Sequence, residues 1–315
     1  MANISNYPSG FRGGALIKNV PLFDMIDGNV YWVDNGTGGA GNPGTFNSPL
    51  DSIESAFGKC AANNGDFIMC KSGHTEACAG AAGITADVAG VTVLGVGHGD
   101  DQAQIRWTAA AATLVISAAS VRFINMRLTA AFADVAEGVN MSAVNGIEFI
   151  GCRIDEEIAT ENWVIFGDLA DGGDNFKMVG CSYHGNDASN DTVINFAGTH
   201  ENVQFVDNTF THSTAQTTGA GFIVSATQMI SCLLQGNRFH TETAAAANSC
   251  VEMANATNTG WAIDNMISTV DTDASDANAI ECFDVTGLMS SGNMFTSGVA
   301  DTHGIETFTT VEDLT

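Results

Sequence analysis

Val203-Gln-Phe-Val-Asp-Asn-Thr-Phe210 decides the fold of this chain, because the same short pattern returns along most of its length. The pattern begins with an apolar residue, any residue and a second apolar residue. Gly, Asp or Asn comes next, followed closely by Asn or Cys and by another apolar residue. Other copies begin at Val121, Ile147, Phe176, Cys232 and Leu288, with a weaker copy at Gly260. The sixth residues of successive copies are separated by 26, 29, 27, 29, 28 and 28 residues. A fixed period in this range indicates an array of stacked units.

Alternation of apolar and other residues within each copy predicts a strand and not a helix. A second apolar segment recurs in the same phase, at residues 114–116, 163–166, 192–196, 221–224, 250–253, 279–283 and 304–308. Runs of Gly, Asn, Asp, Ala, Ser and Thr lie between these segments and accept tight turns. The sequence therefore predicts an all-β parallel solenoid of roughly eight or more coils, with two or three strands in each coil.

The repeat also predicts which side chains face the interior. One interior ladder is expected to contain Phe149, Met178, Phe205 and Leu234. The residue after the first apolar position should point outward, which places in one exterior column Arg122, Glu148, Lys177 and Gln204. Their alternating charges at strand spacing predict a ladder of ion pairs.

A helix is predicted before the first coil. Ser48-Pro49-Leu50-Asp51 has a preferred N-cap residue, proline at the first helical position and an acid in the first turn. Apolar residues follow at helical spacing until Asn63-Asn64-Gly65. We expect a helix over residues 49–62 that caps the N-terminal end of the stack.

Several stretches resemble one known superfamily. They include Tyr31-Trp-Val-Asp-Asn-Gly36, Gly41-Asn-Pro-Gly-Thr45, Gly73-His-Thr-Glu76 and Gly90-Val-Thr-Val-Leu-Gly95. These stretches resemble the opening of the pectate-lyase-like right-handed parallel β-helix superfamily, and most of all its members in the virions of tailed bacteriophages. The resemblance covers residues 30–315. It implies a β-helix domain over 30–315, including the capping helix at 49–62, preceded by an extended arm over residues 1–29.

The resemblance implies a structural role in the virion of a tailed bacteriophage. The expected protein is a β-helical capsid decoration, cement or head-spike protein, attached through its arm to the major capsid protein or another virion protein. The resemblance also implies a homotrimer of parallel chains. One alternative is a tailspike or receptor-binding protein that binds or cleaves host polysaccharide, and another is a secreted β-helix enzyme.

Charge separates the arm from the body. The chain carries 36 acidic and 10 basic residues, a formal charge of −26. Residues 1–23 carry Arg12 and Lys18 without any acid, so the rest of the chain has a charge of −28. An acidic body repels nucleic acid and anionic membranes, and neither is an expected partner. The residues expected to anchor the arm to a capsid are Phe11, Arg12, Leu16, Ile17, Lys18, Val20, Leu22 and Phe23.

Cysteine usage and hydropathy suggest where the protein is made. Cys152 and Cys181 occupy the same site in adjacent copies, which indicates small buried residues and not disulfide partners. No apolar core of a secretory leader and no membrane-spanning run is found in the sequence. The expected location is the virion, after assembly in the cytoplasm of a bacterial host.

Candidate site residues are sparse. Glu252, Glu281 and Glu306 share one place in the second recurrent segment, and stacked carboxylates suit solvation, a cation or a glycosidase pair. They are weak candidates for metal ligands. The Asp-rich runs at 168–174 and 271–276 are interpreted as turns, with calcium loops as the alternative. His74, His184, His212 and His240 are interpreted as surface residues.

Catalysis is not expected from these residues. The acid-rich C-terminal copies lack a nearby basic residue, and only 4 Trp and 3 Tyr are present for stacking on sugars. No phosphate loop or dinucleotide motif occurs. The sequence therefore predicts a chain that is not an enzyme and has no cofactor, with a polysaccharide lyase or glycosidase as the alternative.

Overall fold

The computed structural model describes residues 16–17, 20–21, 28–188, 192–214, 221–243, 250–271, 283–299 and 302–307. Within these ranges the chain is an all-β parallel solenoid, as predicted. Its strands are numbered along the chain. β1 (Leu16–Ile17) and β2 (Val20–Pro21) form an antiparallel pair that belongs to none of the solenoid's sheets.

Three long sheets form the sides of the solenoid. Sheet 1 contains β3 (Val30–Val33), β4 (Phe67–Cys70), β7 (Thr92–Gly95), β10 (Arg122–Ile124), β13 (Glu148–Ile150), β16 (Lys177–Val179), β20 (Gln204–Val206), β24 (Cys232–Gln235), β27 (Gly260–Ile263) and β30 (Met289–Ser291). Sheet 2 contains β5 (Thr75–Cys78), β8 (Gln104–Trp107), β11 (Arg127–Ala130), β14 (Arg153–Glu156), β17 (Ser182–Gly185), β21 (Thr209–His212), β25 (Arg238–Thr243), β28 (Met266–Asp271), β31 (Met294–Val299) and β32 (Thr302–Thr307). Sheet 3 contains β6 (Ile84–Ala86), β9 (Leu114–Ile116), β12 (Val139–Met141), β15 (Ile165–Ala170), β18 (Thr192–Ala197), β22 (Ile223–Ser225), β26 (Val251–Glu252) and β29 (Phe283–Asp284). A short pair, β19 (His200–Glu201) and β23 (Met229–Ile230), lies outside these sheets.

Each copy of the repeat forms two strands joined by a tight corner. In the copy that begins at Val121, β10 belongs to sheet 1 and β11 to sheet 2. The fifth residue of every copy has a positive φ, as in Asn125 at 50°, Asp207 at 55° and Gly236 at 65°. Gly, Asn and Asp tolerate this conformation best, which explains why the pattern requires them at the corner.

The sixth residue of each copy is buried just after the corner. Asn208, Asn237 and Asn265 are at most 1% exposed. The side-chain oxygen of Asn237 accepts from the backbone N–H and the side-chain amide of Asn208, at 3.0 and 2.9 Å. The Asn237 amide in turn donates to the Phe205 carbonyl at 2.9 Å. Each asparagine therefore joins its own coil to both neighbouring coils.

Cysteines occupy the same site in earlier coils. Cys152 and Cys181 are 1% and 2% exposed, and the Cys181 thiol accepts from the Cys152 backbone N–H at 3.3 Å. Each thiol also donates to a carbonyl of the preceding coil. All seven cysteines within the described residues are free thiols, as expected. Burial raises the pKa of Cys232 to about 12, so this thiol is protonated near neutrality.

The predicted register is confirmed. Phe149 pairs with Met178, and the same column continues through Phe205 and Leu234, all fully buried. Phe123 stacks on Phe149 with ring centroids 5.5 Å apart. The outward column also holds, because Glu148 bonds Arg122 at 2.9 Å and Lys177 at 3.5 Å.

The predicted helix over 49–62 is largely wrong. The helix α1 spans Ile53–Phe57 and begins at the N-cap Ser52, whose hydroxyl accepts from the Ser55 N–H. Leu50 instead forms a bridge with Val33 at the end of β3. Strand pairing by the residues after Ser48 therefore overrides their helix-start pattern.

The second recurrent segment is confirmed in sheet 3 as far as β26. Its last expected copy is wrong, because β32 pairs antiparallel with β31 in sheet 2. Of the expected copy at 279–283, Phe283 is described, and it begins β29.

We predict that Phe149→Asp destabilises the protein by more than about 3 kcal/mol, because it buries an unpaired charge in a close-packed ladder. Glu148→Ala, its neighbour on the outward face, should cost less than about 1 kcal/mol. Equal shifts in the midpoints of thermal unfolding would contradict this register.

Asn237→Leu should cost about 2 kcal/mol or more, because it leaves the Asn208 N–H and the Phe205 carbonyl without partners. Asn145→Ala is a matched control: Asn145 is an exposed asparagine that accepts one bond, from the Asp174 N–H. Urea unfolding of both variants would measure the difference, and similar midpoints would contradict a stabilising role for the buried amides.

Candidate functional site

Two of the three glutamates predicted to share a column lie in different sheets. Glu252 lies in β26, where its register neighbour is Asp284. Glu306 lies in β32 of sheet 2, opposite Phe295. Glu281 falls outside the described residues. Glu252 and Glu306 therefore lie in different sheets and do not share one column. The weak assignment of the three glutamates as metal ligands stays a prediction.

The later acids of the Asp-rich run at 168–174 hold neighbouring backbone, as interpreted from the sequence, whereas Asp168 lies within β15. Asp171 accepts from the Thr199 N–H at 3.0 Å, and Asp174 accepts from the Glu201 N–H at 2.8 Å. Each acid therefore holds a turn of the next coil. The run at 271–276 lies outside the described residues, apart from Asp271 at the end of β28.

Two of the four histidines, His74 and His212, are buried and not at the surface as expected. His74 is fully buried, accepts from the Asn35 N–H at Nδ1 and lies 3.2 Å from Glu76 through Nε2. His212 is 2% exposed, and burial lowers its pKa to about 3. His184 is exposed and His240 is half-buried. Polar ladders continue into the interior of sheet 2, where the sequence pattern predicts apolar side chains.

Sheet 2 carries a group of ion pairs on its outer face. Asp155 accepts from Arg127 Nε at 2.8 Å and from Arg153 Nε at 2.7 Å. Arg106 pairs with Glu157 beside them. The Asp155 carboxylate is 4% exposed, so the two guanidinium groups compensate its burial. This cluster is internally paired and stabilises three adjacent coils.

A different polar group lies on the outer face of sheet 3. Asn140, Asp168 and Asn195 are register neighbours in β12, β15 and β18. The Asn195 amide donates to Asp168 at 2.6 Å, and the Asn140 amide donates to Glu137 at 2.7 Å. We call Glu137, Asn140, Asp168 and Asn195 the sheet 3 polar ladder.

Packed glycines fix the backbone beside both carboxylates. A Cβ at Gly138 would lie 2.4 Å from the Trp163 ring, and a Cβ at Gly167 would lie 2.8 Å from Ile194. The Gly138 carbonyl also accepts from the Trp107 indole at 2.7 Å. Glu137 and Asp168 are thus attached to backbone that is packed directly on the core, which limits their movement.

Glu137 differs electrostatically from the surface acids around it. Partial burial raises the pKa of its carboxyl, the hydrogen bond from Asn140 opposes this, and the negative charge of Asp168 raises the pKa further. A raised pKa caused by burial and by a second carboxylate is typical of acid catalysts. Glu137 therefore has the properties expected of a proton donor, with a second carboxylate close to it.

Exposed apolar side chains lie on the segments that lead into two strands of this ladder. Phe132 is 43% exposed, Ile158 is 53% and Val164 is 45%. They lie on the segments that connect sheet 2 to sheet 3 in two successive coils, and Glu137 lies on the first of these segments. Apolar contact next to hydrogen-bonding groups is a common property of ligand sites.

The sequence did not reveal Glu137 and Asp168 as a pair. They are 31 positions apart, whereas residues in register in β12 and β15 are 28 positions apart. Glu137 also lies two residues before the start of its strand. A Glu-Gly and a Gly-Asp dipeptide in successive coils are the signal that could have indicated them, because both glycines are required by packing.

Several expectations fall outside the described structure. Of the arm residues, Leu16–Ile17 and Val20–Pro21 are described as paired backbone, and the contacts of the anchoring side chains are not. Within the described residues, no group of three or more His, Cys, Asp or Glu side chains is arranged to hold a metal ion. The helices of the described ranges include none long and apolar enough to cross a membrane.

Comparison with known proteins gives a likeness among solved structures. No known protein family matches the chain, and no curated protein matches it. Among solved structures, the GH136 lacto-N-biosidase from Eubacterium ramulus is similar, with 9% sequence identity and a TM-score of 0.38. The similarity covers 85% of this chain and 67% of that chain. At these values it transfers no substrate and no residue role.

The expectation that the chain is not an enzyme is corrected. A solved structure similar to it is a lacto-N-biosidase, and at a TM-score of 0.38 this likeness by itself assigns no activity to the chain. The argument for that expectation also fails on the geometry, because it considered the acids of the C-terminal coils and overlooked the Glu137 carboxyl beside Asp168.

The raised pKa of Glu137 predicts a pH-dependent difference in stability. A carboxyl whose folded pKa lies above the usual 4.5 destabilises the fold once pH rises through that range, because the folded state then binds more protons than the unfolded state. Glu137→Gln should match the wild type in acid and exceed it in thermal stability near neutrality. The midpoints of thermal unfolding of both proteins, measured from about pH 4 to about pH 8, would test this. A difference that stays constant with pH would contradict the raised pKa.

Proposed function

We propose that the chain binds a polysaccharide along the outer face of sheet 3 and hydrolyses it at the Glu137–Asp168 pair. The observation that carries this proposal is the raised pKa of Glu137 next to the charge of Asp168 on rigid backbone. Two carboxyl groups with separate roles are what glycoside hydrolysis requires.

The chemistry follows from the two environments. Glu137, protonated, donates its proton to the glycosidic oxygen as the bond from that oxygen to the anomeric carbon breaks. Asp168, ionised, stabilises the positive charge that develops on the sugar and takes a proton from the water that attacks it. One water molecule is consumed, and each new chain end receives a hydroxyl group.

The surroundings suit an extended sugar chain. Asn140 and Asn195 flank Asp168 along the solenoid axis, and amides form hydrogen bonds to sugar hydroxyls. Phe132 provides an exposed ring for apolar contact with a sugar face. An open outer face admits a polymer from either end, whereas a small-molecule site requires a closed cavity.

The virion role stays a prediction from the resemblance. Polysaccharide cleavage fits the tailspike or receptor-binding alternative, in which the arm over residues 1–29 would attach the chain to a phage particle. The decoration or cement role, the capsid partner, the homotrimer and the virion location are all untested. Loss of particle binding on deletion of residues 2–23, with the solenoid still folded, would support attachment through the arm.

The activity test uses the full chain and a panel of neutral and acidic polysaccharides, with reducing ends measured as the readout. Glu137→Gln and Asp168→Asn should each reduce kcat by at least about 100-fold. The rate of the wild type should fall as pH rises through the raised pKa of Glu137, because the acid form is then lost.

Glu252→Gln is the matched control, because Glu252 lies on the outer face of the same sheet several coils away. It should retain wild-type activity. Hydrolysis that persists in both ladder variants would contradict the assignment, and binding without hydrolysis by the wild type would restrict the protein to a receptor-binding role.

A further inference from the structure

The outer face of sheet 1 carries a continuous apolar column. Its ten register positions are Trp32, Met69, Leu94, Ile124, Ile150, Val179, Val206, Gln235, Ile263 and Ser291. Eight of these ten are apolar, and these eight are half-buried by their own neighbours and open on the outward side. We call these ten positions the sheet 1 strip. The outward columns of sheets 2 and 3 contain Arg, Asp, Glu and Asn among their residues.

Charge sets this face apart from the rest of the molecule. Within the strands of sheet 1 the charged residues are Arg122, Glu148 and Lys177, a net charge of +1 on a chain of −26. Glu148 bonds both cations, so this group is internally compensated. Two copies that approach through any strongly acidic face repel one another, whereas approach through sheet 1 avoids this cost.

Exposed side chains extend the strip at both ends. Near β3, Phe46 is 56% exposed and packs edge-on against Trp32 with ring centroids 4.9 Å apart. At the other end, Trp261 is 49% exposed and Met289 is 55% exposed, in the column beside the strip. Large exposed apolar groups in continuity with an apolar strip indicate a contact surface.

The size of the face matches a contact between copies. Ten strands at about 4.8 Å spacing span about 43 Å, and three residues of strand add about 10 Å of width. The footprint is about 430 Å² per copy, and two copies cover about 860 Å² before the bordering turns contribute. This area is below the ~1,200 Å² that the smallest specific interfaces bury. The exposed side chains of Phe46, Trp261 and Met289 would add apolar area at the two ends of the strip.

We propose that the sheet 1 strip is the surface through which copies of this chain associate side by side. The partner is a second copy of the chain, because this face carries almost no net charge on an acidic molecule and both copies present the same apolar column at the same strand spacing. The strip gives the expected homotrimer an apolar seam, and it is independent of the hydrolytic site on sheet 3.

The test measures the mass of the full chain by light scattering after size-exclusion chromatography at several micromolar concentrations. The wild type should exceed the monomer mass of 32.7 kDa at least twofold. Ile124→Glu with Val179→Glu should return it to monomer, because charges would then face one another across the seam. A trimer or a dimer supports the surface, and a wild-type monomer throughout overturns it.

Val115→Glu with Val224→Glu is the matched control, because both valines are half-buried β-branched residues on the outer face of sheet 3. It adds the same charge and should leave the oligomer intact. Dissociation of both double variants to the same extent would show general repulsion and overturn the assignment. If the glutamate variant of the strip does not fold, Ile124→Ser with Val179→Ser provides the same comparison without added charge.

Salt dependence gives a second readout on the unmodified protein. Raising the ionic strength screens repulsion between the acidic bodies and leaves apolar contact intact, so association should strengthen. Weaker association in high salt would show that ion pairs hold the copies together, and would overturn the apolar strip as the contact.

Discussion

The buried amides at the corner between sheets 1 and 2 hold the solenoid in register. A parallel stack offers backbone hydrogen bonds at several offsets, and a slip by one residue exchanges the inner and outer faces. Asn237 bonds the coil on either side of it through one side chain and is fully buried. A slipped coil would leave these polar groups unpaired in the core, at a cost of several hydrogen bonds at once. The ladder therefore selects one offset for every pair of coils it joins.

The sequence predicts this part of the fold because every coil repeats the same constraint. Positive φ at the fifth residue restricts it to Gly, Asn, Asp or their like, and burial at the sixth selects Asn or Cys, so the pattern is visible without a structure. The pattern fails to predict the position of Glu306. Its local Ile-Glu sequence fits sheet 3, but its backbone pairs antiparallel in sheet 2. The end of a repeat array lacks the neighbour that fixes its phase, so local pattern and actual pairing separate there.

The candidate site is hidden from the sequence for the opposite reason. Glu137 and Asp168 face outward, where the repeat imposes no residue type, and their environment comes from Trp163, Gly138 and the paired amides. A raised pKa depends on burial and on a second charge in space, and neither can be read from spacing alone. Glu252 and Glu306 were candidates because they recur with the period of the repeat. Acids that recur in this way on a solenoid are mostly solvated or bonded to turns.

The three faces of the solenoid can differ because one core supports them all. Inward positions form a continuous stack, with Phe210 and Phe239 parallel at 5.1 Å, so outward positions can change without loss of the fold. Sheet 2 uses this freedom for arginine–carboxylate pairs, sheet 3 for carboxylates with amides, and sheet 1 for an apolar strip. Rigid backbone also lowers the cost of holding Glu137 beside Asp168, because folding has already fixed both positions before a substrate arrives. With separate faces, the proposed association through sheet 1 leaves the proposed polymer site on sheet 3 open. The spacing between neighbouring strands is the same on both faces.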